Sequence, residues 1–443
     1  MTCCKCEEHK WDDPQEVVYT DPANGKEYCL FHAPADCKGI SVDAFNEKAL
    51  ERIKAASVSG GVDVLCNLSG TIFPGDFNAK GHDFPAINLF RAVFTQGAHF
   101  GGARFGGMAI FSDVHFGGKV NFNKARFKTG AVFSGCRFKG YPNFYRANFA
   151  GETSFSKAIF DEDTCFDMAG FEEAVDFTSA HFLGGAKFSG VSFGAEALFK
   201  GVSFACGTKF TTVQVKGVIV FDAIQAAEGA VLEFVDCIVS PSVLVFQNCD
   251  LTCCDFSLQR DLTNIHFVNS SWENKCRIKP NGEDQKGKLQ LTRDFYQRMK
   301  AKYKGENNEY EASKWHVAEK EAQLKLFRWN GESKFLWIML WLYKFVSGFG
   351  ENAARAFWVL IGLAVLPLLA LTCMGVVHHS PWWDFDMAGI HQIIKDWLKF
   401  IPLARTIGED EPGGLHVLMI FWQLLITLQA ALFAFALRNR FRR

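Results

Sequence analysis

Residues 94–138 read FTQGAHFGGARFGGMAIFSDVHFGGKVNFNKARFKTGAVFSGCRF, and this stretch decides the fold. Its phenylalanines recur at alternating intervals of six and five residues, a pattern that continues without exception through 22 phenylalanines between Phe94 and Phe210. The residue two places before each ring is usually small, as at Ala103 and Ala125. An 11-residue double repeat of this kind predicts stacked coils, an architecture that brings no active site by default.

This spacing resembles the pentapeptide-repeat family, whose core pair is seen here as Ala103-Arg104-Phe105 and Ala147-Asn148-Phe149. The resemblance implies a right-handed quadrilateral β-solenoid over residues 84–272, with four repeats in each coil and the phenylalanines stacked inside. Strict members of the family step by five residues. The added residue in every second repeat therefore predicts coils of about 22 residues that bulge at two of four corners, where glycine is frequent (Gly101-Gly102 and Gly106-Gly107). At this coil length, residues 94–272 predict about eight coils. A strand spacing of ~4.8 Å then gives a rod roughly 40 Å long.

The first 40 residues are rich in cysteine and histidine. Cys6-x2-His9 and Cys29-x2-His32 form two hooks of the kind that hold zinc, which needs four nitrogen or sulfur ligands. The candidate ligands are Cys4, Cys6, His9, Cys29 and His32, and the spacing leaves open which of Cys3, Cys4 and Cys6 binds. Because the segment is too short for a core of its own, a closed structural zinc site would fold it. Residues 41–83 are expected to hold a helical cap and a lead-in strand.

The C-terminal part changes to helical and apolar patterns. Residues 286–330 predict a cytoplasmic helical hairpin, and residues 335–443 predict a membrane domain. Within that domain, residues 335–349 predict an interfacial helix. Two further runs contain no Asp, Glu, Lys or Arg and are long enough to span a bilayer. The spans cover residues 356–377 and 415–437, with an outer loop over residues 378–414. The basic residues beside the spans place both termini in the cytoplasm.

Two further features favour a bacterial inner membrane. The segments LYKFVSGFGE (342–351) and ALRNRFRR (436–443) resemble bacterial membrane-anchored pentapeptide-repeat proteins. That resemblance implies placement in the membrane and no particular mechanism. The lipid bilayer is thus an expected partner, and the chain shows no signal peptide.

The two spans and their loop have the outline of a two-span channel subunit. On the second span, Gln423, Thr427 and Gln429 are polar groups at membrane depth that predict either helix packing or a pore lining. In the outer loop, Glu409, Asp410 and Glu411 predict either an acidic ring around a pore or an exposed turn. The Thr-Val-Gly-Tyr-Gly filter of potassium channels is absent from the sequence, so the chain predicts no particular ion selectivity.

Charge and motifs narrow the function further. Residues 84–157 hold ten Lys or Arg and two Asp or Glu, whereas residues 158–272 hold five and fifteen. The acidic half invites comparison with solenoids that imitate DNA, but those are acidic throughout, so nucleic acid is not an expected partner. Catalytic and nucleotide-binding motifs are absent from the sequence, which predicts that the chain is no enzyme.

We therefore expect an inner-membrane homo-oligomer with a cytoplasmic sensor or interaction arm that binds an unknown protein or ligand. Its two-span hairpins would form an ion-conducting or membrane-perturbing pore. The alternative is a membrane-tethered scaffold that does not conduct.

Overall fold

The computed structural model describes residues 2–11, 13, 15–60, 64–239, 241–272, 285–330, 334–373, 387–402 and 413–441. The chain forms two compact units, Met1–Lys279 and Pro280–Arg443. The first unit begins with helix α1 (Cys4–Glu8) and an antiparallel hairpin (Val17–Thr20 and Glu27–Cys29). Helix α2 (Val42–Gly60) follows. Ser41 caps it, since its hydroxyl accepts a hydrogen bond from the Ala44 amide at 3.2 Å.

The rest of the first unit is a solenoid with four sheets of parallel strands. Each strand pairs with the equivalent strand of the next coil, as Phe105 pairs with Phe127. Sheet 1 contains Leu65–Asn67, Ala86–Asn88, Ala109–Ile110, Ala131–Val132, Thr153–Ser154, Val175–Asp176, Ala197–Lys200, Val218–Asp222, Val243–Gln247 and Ile265–Val268. Sheet 2 contains Ile72–Phe73, Val93–Phe94, His115–Phe116, Arg137–Phe138, Ile159–Phe160, His181–Phe182, Ser203–Phe204 and Gln225–Ala226. Sheet 3 contains Phe77–Asn78, Ala98–His99, Val120–Asn121, Pro142–Asn143, Thr164–Cys165, Ala186–Lys187, Thr208–Thr211, Leu232–Val235 and Cys254–Asp255. Sheet 4 contains Asp83–Phe84, Arg104–Phe105, Arg126–Phe127, Asn148–Phe149, Gly170–Phe171, Ser192–Phe193 and Gln214–Val215.

Phenylalanine rings form one stacked column along each sheet. In sheet 3, the Phe144 ring lies 5.2 Å from that of Phe122 and 4.9 Å from that of Phe166, with both pairs within 3° of parallel. The rings of the two facing columns, along sheets 1 and 3, meet edge to face, as Phe144 meets Phe155 at 82°. These are the two arrangements that aromatic quadrupoles favour. The small residues two places before the rings are buried as well, which leaves room for four rings in each coil.

Two kinds of corner alternate around the coil. Every eleventh residue from Arg91 to Ala223 has a positive φ, and all of them lie in the five-residue intervals between inward-facing positions. Gly102 is one of them at +69°, but Lys124 and Met168 adopt the same backbone at +56° and +60°. The added residue lies at the other two corners, in the six-residue intervals. The predicted wide corner at Gly101-Gly102 is thus a left-handed turn, whereas Gly106-Gly107 does lie in a six-residue interval.

The predicted β-solenoid fold class is confirmed. The solenoid starts earlier than residue 84, because Leu65–Asn67 already pairs with Ala86–Asn88 and Ile72–Phe73 with Val93–Phe94. The lead-in strand is thus part of a first coil, and the nine strands of sheet 3 give about nine coils. Beyond Phe210 the coil length becomes irregular, because in sheet 1 Val218 pairs with Val243, 25 residues later, whereas Leu244 pairs with Ile265, 21 residues later.

The second unit is helical over the residues that the structure describes. Helices α3 (Gln285–Gly305) and α4 (Glu309–Asn330) form the predicted hairpin, with the Phe295 ring against that of Trp315 at 5.8 Å. Helices α5 (Lys334–Ser347) and α6 (Ala353–Cys373) come next. Helix α7 (Met387–Leu398) and helix α8 (Gly413–Phe441) complete the unit.

The elbow between α5 and α6, residues 348–352, has an unusual backbone. Gly348, Phe349 and Gly350 have φ values of +58°, +61° and +79° in succession, although Phe349 is bulky and 1% exposed. A Cβ atom on Gly350 would lie 2.6 Å from the Tyr343 hydroxyl and 2.8 Å from the Phe435 ring. The Asn439 amide, on α8, donates to the Gly350 carbonyl at 3.1 Å. The elbow therefore holds the end of α5 against the end of α8 that the sequence predicts to be cytoplasmic.

The stacked columns of rings predict that the loss of one ring strongly lowers the stability of the solenoid. Phe144→Ala removes a side chain with no solvent exposure that stacks on two neighbours, so we expect it to lower the free energy of unfolding by about 3–5 kcal/mol. Hydrogen exchange of the full chain in detergent measures this as faster exchange in the coils around residue 144. Tyr145→Ala, on the outer surface next in sequence, is the control and should cost under about 1 kcal/mol. Equal effects of the two changes would contradict the stacking argument.

Candidate functional site: the metal centre and the apolar helices

Four metal-ligating side chains converge between α1 and the turn that follows the N-terminal hairpin. They are Cys3, Cys6, Cys29 and His32, all at most 2% exposed, and their ligand atoms lie within 4.8 Å of one another. Cys3 is the N-cap residue of α1, and Cys6 lies in the first turn of that helix. Cys29 ends the second strand of the hairpin, and the His32 amide donates to the Cys29 carbonyl at 3.1 Å, which closes the turn.

Four of the six distances within this cluster are close to the edges of a tetrahedron. A tetrahedral zinc ion separates two sulfur ligands by about 3.7 Å and a sulfur from a nitrogen ligand by about 3.5 Å, given its usual bond lengths. The Sγ atoms of Cys6 and Cys29 are 3.7 Å apart. The Nδ1 atom of His32 lies 3.5, 3.6 and 3.3 Å from the Sγ atoms, taken in the order Cys3, Cys6 and Cys29. The four side chains could therefore hold a metal ion.

A hydrogen bond sets the orientation of the histidine ligand. The Nε2 atom of His32 lies 2.9 Å from the Ser69 carbonyl oxygen, which can only accept, so Nε2 carries the proton. Nδ1 then presents its lone pair to the three sulfurs, as a metal ligand must. The Trp11 indole also donates to the Ser69 carbonyl, at 3.2 Å. Because Ser69 belongs to the first coil, the cluster is attached to the start of the solenoid.

Electrostatics around the cluster favour a bound cation. A hydrogen bond from Cys29 lowers the pKa of the Cys3 thiol to about 3, whereas burial raises the pKa of Cys6 and the contact with Cys3 raises that of Cys29. One thiolate is therefore stable there, and three together require a positive partner. Lys38 is 3% exposed and donates to the carbonyls of Leu30 and Phe31, at 2.5 and 3.1 Å. Burial lowers the pKa of Lys38 to about 7.

Two of the residues that the sequence nominated lie outside this cluster. Cys4, the first residue of α1, is partly exposed and is not among the four clustered side chains. His9 follows the end of α1, and its ring stacks on that of His32 at 5.9 Å, next to Gly70 (φ +71°). A Cβ atom on Gly70 would collide with the His9 ring. His9 therefore packs against a ligand of the cluster, and Cys3 supplies the fourth ligand atom.

The signal for Cys3 was present in the sequence. Cys3-x2-Cys6 is a hook with the same spacing as Cys29-x2-His32, and a pair of cysteines three apart is the commoner zinc hook. The interpretation that used Cys6-x2-His9 counted Cys6 in the wrong pair.

The cluster predicts different outcomes for two adjacent cysteines. Cys3→Ser removes one of four ligands, so we expect the bound metal to fall well below one equivalent per chain and the N-terminal module to lose protection from hydrogen exchange. Cys4→Ser is the matched control and should leave both unchanged. Elemental analysis of purified full-length protein measures the metal content. Less than about half an equivalent in the unaltered protein would contradict the assignment of a metal centre.

The apolar helices are the second candidate region. Two segments, Ala353–Ala370 and Val417–Phe441, are long and apolar enough to span a membrane, by length and composition. Among the small side chains Ala353, Ala356 and Ala436, α6 and α8 approach closely. Gln429 is 2% exposed there and its amide donates to the Ala356 carbonyl at 2.7 Å. This residue therefore joins the two helices.

The other polar residues of α8 also bond within the chain. The Gln423 amide donates to the Lys399 carbonyl at 2.7 Å, and the exposed Thr427 hydroxyl donates to the Gln423 carbonyl at 2.8 Å. The Trp397 indole donates to the Ala364 carbonyl at 2.6 Å, and that of Trp422 to the Leu363 carbonyl at 2.8 Å. The acidic group Glu409, Asp410 and Glu411 lies outside the described residues, as does most of the predicted outer loop apart from residues 387–402.

Comparison with known protein families identifies the type of repeat. The family model described as pentapeptide repeats, nine copies, matches residues 89–137. Comparison with curated proteins and with solved structures gives no match. The matched residues span two coils, since Val93 pairs with His115 and His115 pairs with Arg137, and the same four columns of rings continue beyond them. The solenoid of the first unit is a β-solenoid built from pentapeptide repeats.

Proposed function

We propose that this chain is a bacterial inner-membrane protein in which α6, α7 and α8 of several copies assemble into an ion-conducting pore. The first unit then serves as a cytoplasmic binding arm, folded at its start by a structural zinc ion. The observation that carries the proposal is the depth reached by α7 between the two apolar helices.

Helix α7 ends beside the middle of α6. At 1.5 Å per residue, the 21 residues of α6 are about 31 Å long, which matches a hydrocarbon core of about 30 Å. Trp397, near the C-terminal end of α7, bonds to the carbonyl of Ala364, eleven residues after the start of α6 and nine before its end. Phe400 packs on Met419 of α8. A helix that enters between two spans and stops at mid-depth is a re-entrant helix.

The end of α7 carries charge at this depth. Asp396 and Lys399 form an ion pair at 3.1 Å, and both side chains are about a quarter exposed. Non-helical backbone and charged groups are tolerated at membrane depth where protein buries them or where they line a water-filled cavity. A single copy leaves them partly uncovered, so neighbouring copies around a wet axis provide the environment that they require.

The ends of the apolar helices support the proposed orientation. Asn439 of α8 bonds to the elbow that starts α6, and the Arg355 guanidinium donates to the Lys344 carbonyl at 3.3 Å. The basic residues Arg355, Arg438 and Arg440 therefore gather at the same end, which favours the cytoplasmic side. Beside them α5 (Lys334–Ser347) exposes large apolar side chains, as an interfacial helix does. The exposed set is Phe335, Leu336, Ile338, Met339, Trp341, Leu342 and Phe345.

Zinc is the proposed occupant of the metal centre. Three thiolates and one imidazole in a closed tetrahedral set, with every donor buried, fit a structural zinc site. We propose no catalytic role for it, since all four positions are filled by protein donors.

A scaffold that does not conduct is the second candidate. It is favoured by the amides of Gln423 and Gln429, which both donate to carbonyls of the same chain and so act in helix packing. In this case the apolar helices only anchor the arm, and its cytoplasmic partner is a protein.

Mass and flux measurements separate the two functions. We expect the detergent-solubilised protein to be an oligomer and its proteoliposomes to conduct ions. Asp396→Asn with Lys399→Gln removes the ion pair while keeping the site neutral, so the oligomer should remain and the flux should change by roughly tenfold or more. Glu311→Gln with Lys314→Gln is the matched control, because it removes an ion pair of α4 (2.6 Å) outside the apolar helices, and it should behave like the unaltered protein. A monomer, or an oligomer without flux, would rule out the pore and favour the scaffold.

A further inference from the structure

A groove of about 480 Å³ lies on the outer face of sheet 4, where the end of α2 overhangs the early coils. Its wall on the α2 side includes Ser57, and its floor is formed by outward residues of four successive strands. Small residues of the floor, Gly106 and Ala150, leave the space open. A volume of this size is that of a small-molecule site and is too small for a folded partner.

The basic side chains in this groove differ in whether an acidic side chain already neutralises them. Arg104 forms a bidentate ion pair with Asp83, at 2.5 and 2.9 Å. Arg126 lies directly beside Arg104 on the next strand, and Lys128 follows two residues later. Within the part of the chain that the structure describes, the side chains of Arg126 and Lys128 make neither a hydrogen bond nor an ion pair.

The surroundings strengthen the positive potential. Lys124 and Arg146 stand at the adjacent left-handed corners of the same coils. From residue 84 to 157 the chain has ten Lys or Arg against two Asp or Glu, a difference of eight positive charges. The nearest acid along sheet 4 beyond the groove is Glu172, which accepts a hydrogen bond from the Asn148 amide at 2.9 Å. A cleft lined by one sign of charge concentrates ions of the opposite sign.

We propose that this groove binds a small soluble phosphorylated molecule of about the size of a nucleoside diphosphate. Arg126 presents a planar fork of donors that matches two phosphate oxygens, and Lys128 supplies a point charge beside it. The apolar surface around Pro85 and Ala150 accommodates the uncharged part of the ligand. This inference deepens the proposed function by naming the ligand class of the arm, and it rests only on the role of the arm.

Calorimetric titration of the full chain in detergent at low salt tests the proposal, with inorganic pyrophosphate and ADP as the probes. We expect saturable binding of both, with ADP at least as tight. Arg126→Gln with Lys128→Gln should weaken both by roughly 100-fold, because each charge-assisted hydrogen bond is commonly worth about a tenfold change in affinity. Ala150→Leu keeps every charge and narrows the groove, so it should weaken ADP more than pyrophosphate.

The matched control is Lys119→Gln with Lys139→Gln, which removes the same charge from exposed positions outside the groove. It should leave both affinities nearly unchanged. Equal weakening by the two double variants would show general electrostatic attraction and overturn the proposal, as would the absence of saturable binding to the unaltered protein. Because binding is measured without ion flux, failure of the pore and failure of this groove are separate results.

Discussion

The parallel stacking of one phenylalanine ring on its counterpart in the next coil is the contact on which the first unit depends. It fixes the rise of each coil at the spacing of neighbouring strands, and it fixes the number of residues that each coil must contain. Everything outside the four columns of rings is then free to vary. This freedom is why the outer faces can carry basic residues in the early coils and acidic residues in the later ones without affecting the core.

A column of rings needs an end that does not expose its last apolar face. At the N-terminal end, the Phe45 ring of α2 meets that of Phe73 edge to face at 5.7 Å, and the Phe31 ring meets that of Phe45 at 5.8 Å. In the sequence, Phe31 lies between Cys29 and His32, two of the four clustered metal-ligating residues. The cluster therefore flanks the residue that continues the covering of the first coil.

The sequence predicted the solenoid and the apolar helices well because both are set by periodic burial. It missed the first coil because the interval from Phe73 to Phe77 is four residues and the next, to Phe84, is seven, so the register begins only later. It also missed the left-handed corners, since residues such as Lys124 and Met168 have no local preference for that backbone and adopt it only because the stacked coils require it. The choice among Cys3, Cys4 and Cys6 stayed open for a related reason. Spacing alone did not say which face of α1 meets the turn at Cys29, and only the packed module decides that.

The 11-residue period has a consequence for how such an arm can change its length. Eleven residues are half a coil, so Phe105 in sheet 4 is followed eleven residues later by Phe116 in sheet 2. A deletion or duplication of eleven residues would keep every ring inside, yet it would turn all later coils by half a revolution and exchange the surfaces of those two sheets. One of twenty-two would preserve each surface and change only the length. A change of eleven residues thus preserves the core but rearranges the surface. Gene duplications that keep a binding face aligned must therefore come in whole coils.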